Sequence, residues 1–152
     1  MPIDRDQFFI EPVLPAQPSD VQELTLKLRA YNQQQAGVNN KQNIGCFIRD
    51  LQDNLIGGIY AQLTWGWCCI ELLWIDDKYR GHNLARELVN KIEQHANDEG
   101  IDNFKVETAS FQALEFYQKM GYELYATLDN FPIGHQNHYL NKVGSNKVGE
   151  VI

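Results

Sequence analysis

No apolar run in this chain approaches the ~20 residues that a membrane-crossing helix needs, and no secretion signal is read at its start. Cysteine is scarce: Cys46, Cys68 and Cys69 are the 3 present, and no Cys/His spacing resembles a zinc site, so no metal is expected. Adjacent Cys68 and Cys69 point to opposite faces if they sit on a strand, which disfavours a bridge and fits reduced thiols in a cytoplasmic protein. Basic residues number 13 against 20 acidic ones, and none of the basic residues gather into a long run. That balance excludes nucleic acid as the main partner, and a formal charge of −7 would draw in a cationic amine as well as keep the chain soluble. Also missing are the three spaced glycines of a dinucleotide fingerprint and the Gly-Lys-Ser/Thr of a nucleotide P-loop.

What is present has ordinary globular composition, with 43% hydrophobic and 22% charged residues in 152. One domain over residues 1–152 is the simplest reading, with a polar tail from 144 expected to fray. Gln7 to Val13 reads as a first strand before Pro12, Pro15 and Pro18. Ser19 or Asp20 can cap a helix whose apolar positions Val21, Leu24, Leu28 and Tyr31 recur at helical spacing. Asn32 to Asn43 reads as a loop or short irregular helix. Three antiparallel strands follow over 44–49, 55–64 and 67–75, with turns at Asp53-Asn54 and Trp65-Gly66. Gly57-Gly58 signals a bulge or a close backbone approach. The clearest helix covers 83–97, with Leu84, Leu88, Ile92 and Ala96 on one face and Gly100 ending it. A strand over 104–109, a short helix over 112–120, a strand over 122–128 and a last strand over 138–143 complete a mixed α/β sheet with helices on both faces.

The most informative stretch runs from Ile70 to Ala85. An apolar strand stops at Asp76-Asp77, a short basic turn holds Arg80 and Gly81, and an amphipathic helix begins at once. Unpaired N–H groups at a helix start, aided by the dipole, bind phosphate well, and Arg80 adds a fixed cationic fork. A second signature lies downstream: Ser110-Phe111-Gln112-Ala113-Leu114-Glu115-Phe116-Tyr117-Gln118-Lys119-Met120-Gly121-Tyr122.

Together these resemble the GNAT superfamily of acyl-CoA-dependent N-acetyltransferases, and a small bacterial-type member in particular. The family's phosphate motif, Gln/Arg-x-x-Gly-x-Gly/Ala, maps onto Arg80-Gly81-His82-Asn83-Leu84-Ala85, with Asn83 in place of the usual Gly. Asn tolerates left-handed backbone angles, so the turn can survive the exchange. The later motif maps onto 110–122, with Ser110 where Asn is common and Ala113, Phe116, Tyr117, Gly121 and Tyr122 in agreement. The resemblance implies a single-domain α+β fold, a mixed but mostly antiparallel sheet of six to seven strands. It also implies acetyl-CoA as co-substrate. The pantetheine arm would pair with the backbone of Leu73, Trp74 and Ile75. The pyrophosphate would sit on the N–H groups of residues 81–85, His82 and Leu84 included, beside Arg80, and Ser110 would complete the cofactor site.

By the same resemblance Tyr117 is the general acid facing the cofactor sulfur, since a phenol can protonate a thiolate without prior charge. Glu71 is the candidate base: a carboxylate interrupting the apolar run 68–75 asks for a reason, and it shares strand parity with Leu73 and Ile75. Glu107 has a parallel claim, and a water chain is the third option. His135 could serve the acceptor pocket, or it and His138 could simply make local hydrogen bonds in a strand crossover. Any of Trp65, Trp67 and Trp74 could wall the acceptor site. The expected activity is direct transfer of an acetyl group to a primary amine, on a small molecule or a peptide, with no covalent acyl-enzyme. The alternative is a non-catalytic acyl-CoA-binding or regulatory module, and a toxin acting on charged transfer RNA ranks below both for want of a basic surface. Exposed sheet edges leave a homodimer open.

Overall fold

A computed structural model describes residues 1–144, so the tail expected to fray falls, from 145 onward, outside the described residues. By internal contacts the chain forms two compact units, Met1–Asn39 and Asn40–Ile152.

The first unit holds one long helix, α1 (Pro18–Ala36), after a single 3-10 turn at Arg5–Gln7. Gln17, rather than Ser19 or Asp20, is the N-cap residue, because Pro18 occupies the first helical position where its missing N–H costs nothing. The helix runs through the Gln-rich stretch 32–36, since glutamine is a good helix former, and stops at Gly37 with φ 82°. The strand expected over Gln7 to Val13 does not form. Ladder bonds need a partner, and this unit contains no second strand to supply them.

The second unit is a six-stranded sheet of β1 (Gln42–Arg49), β2 (Leu55–Thr64), β3 (Trp67–Ile75), β4 (Phe104–Ala109), β5 (Glu123–Asp129) and β6 (Gln136–Lys142), in the order β1-β2-β3-β4-β6-β5. Every neighbouring pair is antiparallel except β3 and β4. Between those two runs α2 (Leu84–Asp98), which buries Leu88, Val89, Ile92 and Ala96 against Ile59, Ala61 and Leu63 of β2 and Cys68 and Ile70 of β3. Each fully buried aliphatic side chain there contributes roughly 1.5–3 kcal/mol. Trp65 and Gly66 both take positive φ, 51° and 77°, the turn that matches the twist of a two-residue hairpin. Gly57 is a close approach: a Cβ there would stand 2.7 Å from Ile75 Cδ1 and 3.1 Å from the Trp74 carbonyl.

α3 (Leu114–Lys119) and α2 both end in the same hydrogen-bonded cap. Ile101 N–H donates to the Ala96 carbonyl at 2.8 Å across Gly100, and Tyr122 N–H donates to the Tyr117 carbonyl at 3.0 Å across Gly121. The second cap turns Tyr122 into the core, where its hydroxyl donates to Glu93 Oε1 of α2 at 2.8 Å. Lys142 of β6 closes this network by donating to Glu93 Oε2 at 3.1 Å and to the Met120 carbonyl at 3.1 Å. α2, α3 and β6 are thereby tied at one polar point.

Candidate active site

The parallel pair β3–β4 is short. Cys68, Cys69 and Ile70 pair with Phe104, Lys105 and Val106, and the ladder stops there, although β3 continues to Ile75 and β4 to Ala109. β4 pairs with β6 along its whole length, from Phe104 with Lys142 to Ala109 with Asn137, so beyond Val106 β6 is its one strand partner among the described residues. The cause lies at Glu71. Tyr60 of β2 faces Leu72 while Ala61 faces Ile70, so Glu71 is an extra residue, a bulge that bends and twists β3 away. The β4-facing main-chain groups of β3 past Ile70 are left without a strand partner, and a wedge opens between the two strands.

The bulge also changes which side chains share a face. Cys68 and Ile70 are buried before it, and Leu73 and Ile75 turn toward the core after it, so the buried parity switches. The expectation that Glu71 lies on the face of Leu73 and Ile75 is therefore overturned. Glu71 is exposed on the opposite, open face, and Trp74 is half-exposed.

At the end of β3 the chain enters α2. Gly81 and Asn83 hold φ 81° and 62°, so the asparagine adopts the left-handed conformation that the motif's glycine would. Asn83 offers no side-chain cap, and the first intrahelical bond is Glu87 N–H to the Asn83 carbonyl, leaving the N–H groups of Leu84, Ala85 and Arg86 without helical acceptors. These donors face a cleft of ≈290 Å³ whose walls include Ile75, Arg80, Gly81, Asn83, Leu84 and Ala85. Arg80 is held in place by its Nε donating to the Ile75 carbonyl at 3.0 Å and by an ion pair with Asp77. His82 points its Nδ1 at the carbonyls of Arg80 (3.0 Å) and Tyr79 (3.2 Å), so that nitrogen carries the proton and the ring braces the turn instead of lining the cleft. Tyr79, Arg86 and Phe116 complete the walls. Arg86, a cation in the first turn of α2, was missed by the sequence reading, whereas Phe116 was legible as part of the second motif.

Tyr117 is buried at 3% exposure, with its ring edge-on to Phe116 at 5.1 Å and to Tyr122 at 5.5 Å. Burial pushes its phenol well above the ordinary value of 10.0, so the hydroxyl stays protonated. Ser110 is committed elsewhere: its Oγ accepts from Gln136 N–H at 3.2 Å, tying the end of β4 to the start of β6. Neither lines the clefts described for this unit.

On the open face, the mouth of the wedge is a cleft of ≈300 Å³ over Ile70 and Val106, walled by Cys69, Glu71, Lys105, Glu107 and Tyr125. It brings together the two carboxylates proposed for proton removal. Glu107 is oriented by Asn137, whose Nδ2 donates to Oε2 at 3.2 Å, whereas Glu71 has no ion pair within the described residues. Lys105, Tyr125 and Asn137 carry no local sequence signal. Tyr125 reaches this cleft because it is the extra residue of a second bulge, between Leu124 and Ala126 on β5. The histidines lie elsewhere. His135 sits at the β5–β6 hairpin tip against Phe111 at 4.9 Å, and His138 is buried with its Nδ1 3.0 Å from Thr127 Oγ1.

The parallel pair thus unzips toward the uncapped start of α2. The acetyltransferase (GNAT) family model matches residues 8–122, and the chain belongs to that family. Blasticidin-S acetyltransferase of Streptomyces morookaense is 39% identical over 89 residues, covering 58% of this chain and 65% of that protein's own length. A crystal structure of an acetyltransferase from Bacillus cereus superposes with a TM-score of 0.81 at 24% identity, over 90% of this chain and 98% of that one. An aminoglycoside 6′-N-acetyltransferase complexed with coenzyme A has the same fold, with a TM-score of 0.57 at 23% identity over 92% and 93% of the two chains.

Proposed function

We propose that this protein moves an acetyl group from acetyl-CoA to a primary amine by direct transfer between two substrates bound on opposite sides of the β3–β4 wedge. The observation that carries this reading is the end of the β3–β4 ladder at Ile70 and Val106, one strand-length before the uncapped start of α2. The two units are taken as parts of one acetyltransferase domain, because the family match crosses both.

The residues divide the work. N–H groups from Gly81 to Ala85, with Arg80 beside them, hold the diphosphate, and the vacant backbone of Leu73, Trp74 and Ile75 holds the pantetheine amides as a peptide strand would be held. Acetyl-CoA supplies the activated acetyl group. A new N–C bond forms as the C–S bond breaks. The amine's proton leaves toward Glu71, Glu107 or a water between them, and Tyr117 gives its proton to the departing sulfur. A buried phenol whose hold on its proton is strengthened stays neutral until a thiolate forms beside it, and edge-on packing against Tyr122 holds its ring.

Thiol release from acetyl-CoA across a panel of amines, with blasticidin S first because of the streptomycete relative, tests the reading beside thermal stabilisation by CoA. Amine-dependent thiol release is the expected result. Stabilisation by CoA with no release on any amine would favour an acyl-CoA-binding module instead.

A further inference from the structure

The cleft at the wedge does not end at its carboxylates. Cys69, Lys105 and Tyr125 also line a second cleft of ≈340 Å³ beside the β2–β3 turn, so the two form one groove along the open face. Its far end is walled by Trp65, Trp67 and Asn141. From Trp67 to Glu71 is four strand residues, or ~13 Å at ~3.3 Å each.

The groove has a chemical direction. At the wedge end Glu71 and Glu107 favour an ammonium. Midway stands Lys105, which repels a second positive charge and offers an N–H donor. At the far end are flat aromatic walls and the Asn141 amide, a further hydrogen-bonding group. Tyr125 is 57% exposed, and the Tyr139 ring, tilted by 52° at 6.4 Å, does not stack on it, which leaves a face for a stacked partner. A saturated polyamine would meet Lys105 with its second charge and leave the aromatic walls unused. A short amino acid would fill only the wedge end.

We propose that the acceptor is an amine joined across roughly 10 Å to a planar heteroaromatic ring bearing hydrogen-bond acceptors or a negative charge, with its ammonium at Glu71 and Glu107, its ring on Trp67 and Tyr125, and its acceptor edge toward Lys105. The inference rests on the N-acetyltransferase reading only for which end reacts; ligand class is set by the groove.

The test uses an aminoalkyl-cytosine and spermidine, a ring-free polyamine of similar length, on the full chain. Each is assayed for thiol release with acetyl-CoA and titrated into CoA-bound protein while tryptophan fluorescence is read. The ring-bearing amine is expected to show kcat/KM at least ~30-fold above spermidine and to quench fluorescence saturably. Tyr125→Ala, an exposed change on an edge strand, should raise KM for the ring-bearing amine by ~10-fold with kcat little altered, and Lys105→Ala should narrow the preference over spermidine. Equal efficiency on both amines with Tyr125→Ala neutral would overturn the groove assignment and leave acetyl transfer standing. Saturable quenching sensitive to Tyr125→Ala without thiol release on any amine would support the ligand class and overturn the transfer reading. Neither quenching nor preferred turnover of the ring-bearing amine would sink the inference outright.

Discussion

The two mouths of the β3–β4 wedge are built from different materials. On the helix side the polar groups are mostly main chain: left-handed Gly81 and Asn83 shape the turn, three N–H groups stand uncapped, and an arginine is pinned to the Ile75 carbonyl. On the open side the walls are side chains brought together from β3, β4 and β5 by two bulges. A backbone site serves a ligand that never changes, whereas a side-chain site can be respecified by single substitutions without disturbing the turn. One fold can thus keep one coenzyme and exchange acceptors.

The largest separation between the two sides should come from Tyr117, proposed to serve the chemistry and neither mouth alone. Tyr117→Phe is expected to lower kcat by ~10³ while changing acetyl-CoA affinity by less than ~3-fold. Steady-state and equilibrium-binding measurements together check this, and unchanged kcat would remove Tyr117 from the acid role. Next is Ala85→Asp. A carboxylate in the first turn of α2 suits the helix dipole, so folding should hold, but it should compete for the donors proposed to grip the diphosphate. CoA binding should weaken by ~100-fold, about 2.7 kcal/mol by titration calorimetry, with the apo melting temperature within a few degrees of the parent. On the open side the comparison can be made inside one cleft. Replacement of the true base among Glu71→Gln and Glu107→Gln should cost ~10² in kcat and the other only a few-fold. Asn137 orients Glu107, which makes Glu107 the stronger candidate, and near-parent kcat in both variants would indicate a water relay.

Two smaller effects concern the packing beneath the site. Lys142→Met strips the cationic partner from Glu93, whose side chain is only 12% exposed and keeps the Tyr122 hydroxyl, and should cost about 2 kcal/mol, a drop of roughly 6 °C in Tm. Alkaline stability should change least. The folded state keeps the Tyr117 proton above the pH where an unfolded phenol, at its ordinary 10.0, loses it. Above that pH the folded state binds more protons, so this stability is complete below pH 10 and declines as pH rises beyond it. Tyr117→Phe should flatten that decline in urea midpoints measured from pH 9 to 11.

The geometry of the helix-side mouth was largely readable from the residues. Alternation and the Trp65-Gly66 turn gave β2 and β3 their ends, and β4 ran as its residues suggested, because each is long, periodic and bounded by turn chemistry. Asn83 was legible as a glycine substitute, and its φ of 62° is the reason it works. The acceptor side was not readable in the same way. Nothing local marks Glu71 as an extra residue, since a bulge is decided by the pairing partner, and one unmatched residue reversed the face of everything after it. Tyr125 joins the cleft only through the β4–β6–β5 order, and Lys105 through its parallel register with Cys69. Gln7 to Val13 failed as a strand for the same reason, the absence of a partner in its own unit. Local chemistry writes a turn; the sheet as a whole writes a pocket.

Backbone amide hydrogen exchange with and without CoA tests the wedge most directly. Binding should slow exchange at Leu72 to Ile75 and at Gly81 to Arg86, leaving β1 and the β5–β6 hairpin unaffected. Tight CoA binding with no added protection in either segment would contradict a coenzyme held between the parted strands and the helix start.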